Sequence, residues 1–296
     1  MDDLNFTLTP ATPSTPEKSA TPEKSSYDAA AARKFFESAG DEEEVAAGEI
    51  IFAEDEKGNR LFFQRDKMYF LVDGEIALTV KNKAVASVKK GEIFGELASI
   101  TLAARSATAT AKTPCRLIAL DDKQFRAALR EEPEFALTLM GLMIGRLRRM
   151  IAGLGASGAL PADGEWNESA VFGKKLLSDL VDELGDAACK SYREDTVIMQ
   201  EGQAGVLMYV VLDGHVTVTI QNRVVEKIGS GGMFGEMAPI ERTGRLASAV
   251  AETDCALLSI NRKVFLDLVK TNPEFGVALL NAIGERSRFM ALRYAQ

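Results

Sequence analysis

The sequence predicts a mainly β chain with helices, arranged as two similar domains in tandem. Three observations carry that prediction. Residues 71–150 align with 211–290 without a gap, and 27 of those 80 positions are identical. A unit that large implies two domains, because solenoid repeats are only about 20–50 residues long. Within each copy, LVDGEIALTV (71–80) and VLDGHVTVTI (211–220) alternate apolar and polar residues around an Asp-Gly pair. Period-two patterning beside Asp-Gly predicts antiparallel hairpins. The length of 296 residues and the 46% apolar content suit two globular cores.

Taken in order, residues 1–26 are rich in Thr, Pro, Ser, Glu and Lys and contain TPEKSATPEKSS. Such a segment buries too little apolar surface to offset its ordering entropy. We expect a disordered tail there, either a solvated leader or a docking segment. A short helix is expected around Tyr27–Ser38. AGEIIFAE (47–54) matches EDTVIMQE (194–201) at an offset of 147, against 140 further on. The first copy therefore carries about seven extra residues within 54–67, read as a longer hairpin loop. Each copy closes with a helix beginning near Pro-Glu-Phe, at 133–135 and 273–275, where proline suits a first turn. AGLGASGALPADG (152–164) reads as a linker. Phe172, Leu176, Leu180 and Leu184 then fall at helical spacing. These readings divide the chain into a tail (1–26), a first domain (27–151), a linker (152–167) and a second domain (168–296).

Composition narrows the function classes. A net charge of −8 and a pI near 5 argue against a general phosphate-backbone binder, so no nucleic-acid partner is expected. No apolar run approaches a membrane span, and MDDLN is not a secretory leader; we expect a cytoplasmic protein with no membrane partner. Cys115, Cys189 and Cys255 have no CxxC spacing and read as buried reduced thiols. No metal-ligand spacing and no nucleophile–base pair is visible. We therefore expect no metal site, no cofactor, no catalytic residue and no enzymatic activity. His215, the only histidine, follows a turn and reads as a surface residue.

The chemistry lies in a stretch that occurs twice. IFGELASITLAARSATATAKTPC (93–115) and MFGEMAPIERTGRLASAVAETDC (233–255) both set an Arg nine residues after a Gly-Glu pair. Glycine lets backbone approach a ligand closely. Successive amides at a helix start accept an anion. Arginine offers a planar fork for two phosphate oxygens. A carboxylate would repel phosphate, so Glu96 and Glu236 must serve another group, naturally a ribose hydroxyl. The set selects a sugar phosphate with a free 2′-OH.

This stretch resembles the phosphate-binding cassette of cyclic nucleotide-binding domains, as in regulatory subunits of cAMP-dependent protein kinase and the catabolite activator family. Phe94-Gly95-Glu96-Leu97-Ala98 with Arg105-Ser106-Ala107 matches the pattern. Phe234-Gly235-Glu236-Met237-Ala238 with Arg245-Leu246-Ala247 matches it again. The resemblance covers about residues 40–150 and 185–290 and implies two eight-stranded jelly-roll β-barrels flanked by helices. It implies that Gly95, Ala98, Ala107, Gly235, Ala238 and Ala247 bring backbone to the ligand. Glu96 and Glu236 would take the ribose hydroxyl, and Arg105 and Arg245 the cyclic phosphate. The alternative is a degenerate cassette with each Arg merely tied to its local Glu.

In cGMP-selective relatives a hydroxyl just after the cassette Arg holds the guanine amino group. Leu246 lacks one, so cAMP is expected over cGMP; Ser106 leaves the first site open to either. Trp166 or Phe172 could cap the purine of the first site, and Tyr294 or Phe289 that of the second; packing between domains is the other reading. RLRRM (146–150) reads as the basic end of a helix. LTLMGLMIGRL (137–147) reads as a packing face, either against 277–287 as an intrachain pseudo-dimer or in a homodimer.

The reading that follows is a receptor for up to two cyclic nucleotides that controls an unidentified effector protein through ligand-driven movement of helices. A catabolite-activator-like regulator is the alternative, although the chain ends at Gln296 with no room for a helix-turn-helix. A kinase regulatory subunit is another, although only Ala32-Arg33-Lys34 precedes the first domain where an inhibitory basic segment belongs. QEGQAG (200–205) is closer to the family pattern than its counterpart, so the second site is expected to bind more tightly.

Overall fold

In the computed structural model, residues 27–57, 66–158, 160, 167–168, 171–241 and 244–294 are described. The TPEKS tail, most of the extra first-copy loop and Trp166 lie outside the described residues. Asp28 accepts hydrogen bonds from the amides of Ala30 and Ala31 and so caps α1 (Ala29–Ala39). Phe35 and Phe36 on its inner face are fully buried.

Eight strands follow: β1 (Asp41–Val45), β2 (Ile50–Phe52), β3 (Lys67–Asp73), β4 (Glu75–Val80), β5 (Lys83–Lys89), β6 (Ile93–Phe94), β7 (Thr108–Ala111) and β8 (Cys115–Asp121). A short α2 (Glu96–Thr101) lies between β6 and β7. The strands form two four-stranded antiparallel sheets, ordered β1-β8-β3-β6 and β2-β7-β4-β5. That order is the jelly roll. Inward residues of the two sheets, among them Phe52, Tyr69, Leu71, Phe94 and Leu117, form its core. Two helices close the domain, α3 (Asp122–Glu131) and α4 (Phe135–Ser157).

The second copy repeats the plan. It opens with α5 (Lys174–Leu184) after a two-residue β9 (Asn167–Glu168). Its strands are β10 (Cys189–Tyr192), β11 (Val197–Met199), β12 (Leu207–Asp213), β13 (Val216–Ile220), β14 (Arg223–Ile228), β15 (Met233–Phe234), β16 (Ser248–Ala251) and β17 (Cys255–Asn261). The sheets are β10-β17-β12-β15 and β11-β16-β13-β14, with β9 added in parallel to β14. Its helices are α6 (Met237–Glu241), α7 (Arg262–Thr271) and α8 (Pro273–Tyr294).

Several sequence expectations are corrected. The Asp-Gly pairs are not hairpin turns: β3 pairs with β6 and β8, whereas β4 pairs with β5 and β7. Asp73-Gly74 and Asp213-Gly214 are corners where the chain passes from one sheet to the other. Gly74 has φ +103, and a Cβ there would lie 2.6 Å from Cys115 Sγ; at Gly214 it would lie 2.3 Å from the Asp254 carbonyl. The close approach explains why this Gly and the Cys recur together. The hairpin turns are Lys81-Asn82 and Gln221-Asn222, all four residues at positive φ, as a two-residue primed turn requires.

Second, α4 continues to Ser157, through the start of the expected linker. RLRRM is therefore mid-helix and does not sit at a C-terminal dipole. Third, α3 and α7 were not foreseen; Asp121 and Gln124 form a reciprocal capping box that starts α3. Cys115 and Cys255 are buried, but Cys189 is only half-buried.

α4 and α8 pack against each other, and Leu139, Met140, Met143, Leu279, Leu280 and Ile283 join one buried cluster. Reciprocal ion pairs flank them: Lys270 with Glu134 at 2.5 Å and Arg130 with Glu274 at 3.8 Å. Exposed pairs of this kind stabilise little, but their reciprocity shows the pseudo-twofold relation of the halves. Gly284 of α8 sits at the tightest approach, where a Cβ would lie 2.6 Å from the Thr101 methyl of α2. Thr101 cannot turn away cheaply, because its hydroxyl donates to the Leu97 carbonyl. Gly284→Val should therefore overpack this contact and cost roughly 1–3 kcal/mol. A thermal melt should show a clear drop; an unchanged midpoint would contradict the packing described.

Candidate functional site

Each cassette is a strand, a left-handed glycine and a short helix. Gly95 has φ +73 and Gly235 φ +79, a conformation that favours glycine. Their carbonyls then face inward and accept from the arginines. Arg105 Nη1 donates to the Gly95 carbonyl at 2.9 Å, and Nη2 to the Lys67 carbonyl at 2.9 Å. Arg245 does the same with Gly235 at 2.8 Å and Leu207 at 2.7 Å. A Cβ at Gly205 would fall 2.0 Å from Arg245 Nε, so only glycine fits beside that side chain.

The main chain of each arginine is pinned as well. The Arg105 amide donates to Glu56 and its carbonyl accepts from Asp55; Arg245 exchanges the same bonds with Gln203 and Gly202. Both guanidinium groups are buried. Burial lowers the pKa of each below its ordinary value, opposed mainly by Tyr69 at Arg105 and Tyr209 at Arg245. Arginine nevertheless stays charged. Arg105 also lies over the Phe52 ring at 4.1 Å and 3.7 Å from Asp66. Val206 stands at the position of Asp66 in the second copy.

The cassette Glu is not tied to the cassette Arg. Glu96 accepts from Arg146 Nη1 of α4 at 2.7 Å, and Arg146 Nη2 donates to the Ile93 carbonyl. Glu236 accepts from Arg286 Nη1 of α8 at 2.9 Å, while Arg286 Nε donates to Glu226 at 2.8 Å and Nη2 to the Met233 carbonyl. Burial alone would lower the Arg286 pKa, but Glu226 and Glu236 outweigh it and raise the pKa above its ordinary value. Each cassette is thus clamped to the last helix of its own domain by an ion pair to a buried carboxylate.

The first cavity, of about 460 Å³, brings together Gly95, Glu96, Leu97, Ala98, Arg105, Ser106 and Ala107. The second, of about 80 Å³, brings together Gly235, Glu236, Met237, Arg245, Leu246 and Ala247. Ala238 lies in α6, and its side chain is outside the described residues. Phe289 lines the second cavity. Phe172 lines neither; it is buried and stacks on Phe275 at 5.6 Å, which is core packing rather than a cap. The side chain of Tyr294 lies outside the described residues, and His215 is exposed. Sequence reasoning missed Arg146 and Arg286 as part of the site. Their identity in both copies was the available signal, hidden by reading RLRRM as a helix end.

A model of the cyclic nucleotide-binding domain matches residues 42–132 and 189–272, more than half of the chain. The chain belongs to the cyclic nucleotide-binding domain family. It holds two such domains in tandem. It is 26% identical over 220 residues to a cGMP-dependent protein kinase of Plasmodium berghei, covering 74% of this chain and 22% of that protein. It is 26% identical over 217 residues to the cAMP-dependent protein kinase regulatory subunit of Schizosaccharomyces pombe, covering 69% of this chain and 46% of that one. The chain thus spans under half the length of these curated relatives. Among solved structures, the regulatory domain of Toxoplasma gondii PKA with cAMP matches at 20% identity and a TM-score of 0.29, covering 78% of this chain and 83% of that one. Among the described residues no helix is long and apolar enough to cross a membrane.

The two clamps differ in burial. The Arg286 side chain is 10% exposed and pairs with two buried carboxylates, whereas that of Arg146 is 29% exposed and pairs with one. Breaking a buried pair by removing one partner costs about 3–5 kcal/mol. Arg286→Ala should fall in that range and Arg146→Ala below it, measured by urea denaturation. Equal losses, or a larger loss for Arg146→Ala, would contradict this account of the clamps.

Proposed function

We propose that the chain is a cyclic nucleotide receptor without catalytic activity, taking up to two ligands and controlling a partner protein through its final helices. The observation that carries this reading is that each cavity is lined by both a buried cassette arginine and a cassette carboxylate that is bonded to a different arginine. A cyclic phosphate would supply the counter-charge for Arg245, whose guanidinium is held by backbone carbonyls, and would add to Asp66, 3.7 Å away, at Arg105. The ribose hydroxyl donates to the Glu, and the apolar wall takes the base. Ligand binding then bears on the same Glu that holds the last helix, so occupancy and helix position are linked.

cAMP is the proposed ligand. Leu246 offers no hydroxyl to a guanine amino group, while Ser106 leaves the first site open to either base. The relatives' names include both cGMP-dependent kinases and cAMP-dependent regulatory subunits, so a protein kinase is the first partner class to test. The cytoplasm is the proposed compartment.

Isothermal titration of the full chain with cAMP should show saturable binding at micromolar protein. Arg105→Ala removes the counter-charge of a partly buried phosphate. Losing one partner of such a pair costs on the order of 2–5 kcal/mol, roughly 30-fold to several thousand-fold in affinity. The double variant Arg105→Ala/Arg245→Ala should bind none. Absence of cAMP and cGMP binding by the unmodified chain, or full binding by the double variant, would overturn the proposal.

A further inference from the structure

Each site is closed in part by the last helix of the other domain. α8 places Ser287 and Ala291 on the first cavity; α4 places Ile151 on the second, together with Leu147, which borders both. These are equivalent positions: an offset of 140 carries Leu147 onto Ser287 and Ile151 onto Ala291. The pseudo-twofold axis between α4 and α8 makes the exchange reciprocal, but the residues exchanged are unequal. The first site receives a hydroxyl and a methyl. The second receives two branched aliphatic side chains, 1% and 6% exposed, which join Leu246, Phe289 and Met290 in one apolar cluster.

The cavity volumes differ in the same sense. Pockets for small molecules run roughly 300–1,000 Å³. The first cavity, at about 460 Å³, falls within that range; the second, at about 80 Å³, does not. A second, independent difference acts in the same direction. Glu226 grips Arg286 from β14, whereas Ala86 occupies the equivalent position in the first copy. The first clamp is a single ion pair with a part-exposed Arg146. The second is a buried triad, in which Glu226 as well as the cassette Glu236 holds Arg286.

We propose that the first domain holds the readily loaded nucleotide site, and that the second is held shut by Leu147 and Ile151 of α4 until α4 and α8 part. This rests on the cyclic nucleotide reading above and reverses the ranking suggested by QEGQAG. Ser287 and Ala291 become determinants of the first site although they belong to the second domain. Occupancy of the first site is thereby felt directly by α8, the helix that bounds the second.

Titration of the full chain with cAMP tests this. The unmodified chain should bind one ligand per chain at micromolar concentration, and Arg105→Ala should abolish that event. Ile151→Ala shortens the plug and should raise the stoichiometry toward two, tightening the second event at least tenfold. Ala291→Ile makes the reciprocal change and should weaken the first event at least tenfold, with folding checked by the melting midpoint; it keeps the test valid even if Ile151→Ala fails to fold. Two events of equal affinity in the unmodified chain would overturn the inference and leave the receptor reading standing. So would a single event that survives Arg105→Ala, or no effect of Ala291→Ile. No binding at all would remove the receptor reading itself.

Discussion

A buried carboxylate must be paired or neutralised, and here that constraint ties each binding cassette to a distant helix. Glu96 and Glu236 lie in the wall of a jelly roll, 4% and 2% exposed. An isolated charge so placed is heavily penalised by desolvation. The compensating cation comes from fifty residues downstream in each copy, Arg146 on α4 and Arg286 on α8. The cassette arginines are held differently, by backbone carbonyls, with Asp66 also 3.7 Å from Arg105. The two functions of the motif are therefore separated. Glutamate holds a helix; on the proposed reading arginine would meet the phosphate and glutamate the ribose. On the proposed reading, a ligand that contacts Glu would alter the balance of the clamp and so act on the helix.

The helices, in turn, are shared property. α4 starts in the central cluster with Phe135 stacked on Phe35 at 3.7 Å. Its second half, with Leu147, Ile151 and Leu154, belongs to the apolar core of the second domain. The core between the domains is continuous with both sites, so neither site is independent of the helix pair. The near-repeat of sequence gives the pseudo-twofold plan, and the few unequal positions decide how the two sites differ.

Much of this plan was legible in the sequence because it lies in short motifs with a strong local cause. The left-handed Gly95 and Gly235 turns, the Glu-to-Arg spacing and the tandem repeat each follow from local chemistry, and the family match falls on both copies. Helix α5 was signalled by the spacing of Leu176, Leu180 and Leu184, although Phe172, read together with them, lies before its first turn. What was hidden depends on contacts distant in sequence. Asp-Gly signals a turn, yet only the sheet pairing shows that Gly74 turns between sheets under Cys115. RLRRM looks like a helix terminus until α4 is seen to continue to Ser157. The clamp and the crossed closure by Leu147 and Ile151 join segments that no spacing rule connects.

Amide hydrogen exchange with and without cAMP tests the central claim most directly, because it reads the backbone of cassette and helix separately. If the Glu clamp couples them, cAMP should change exchange at residues 93–107 and along α4 and α8, while the strands far from the cassette stay unchanged. Changes confined to the cassette, with α4 and α8 exchanging as in the free protein, would contradict the account.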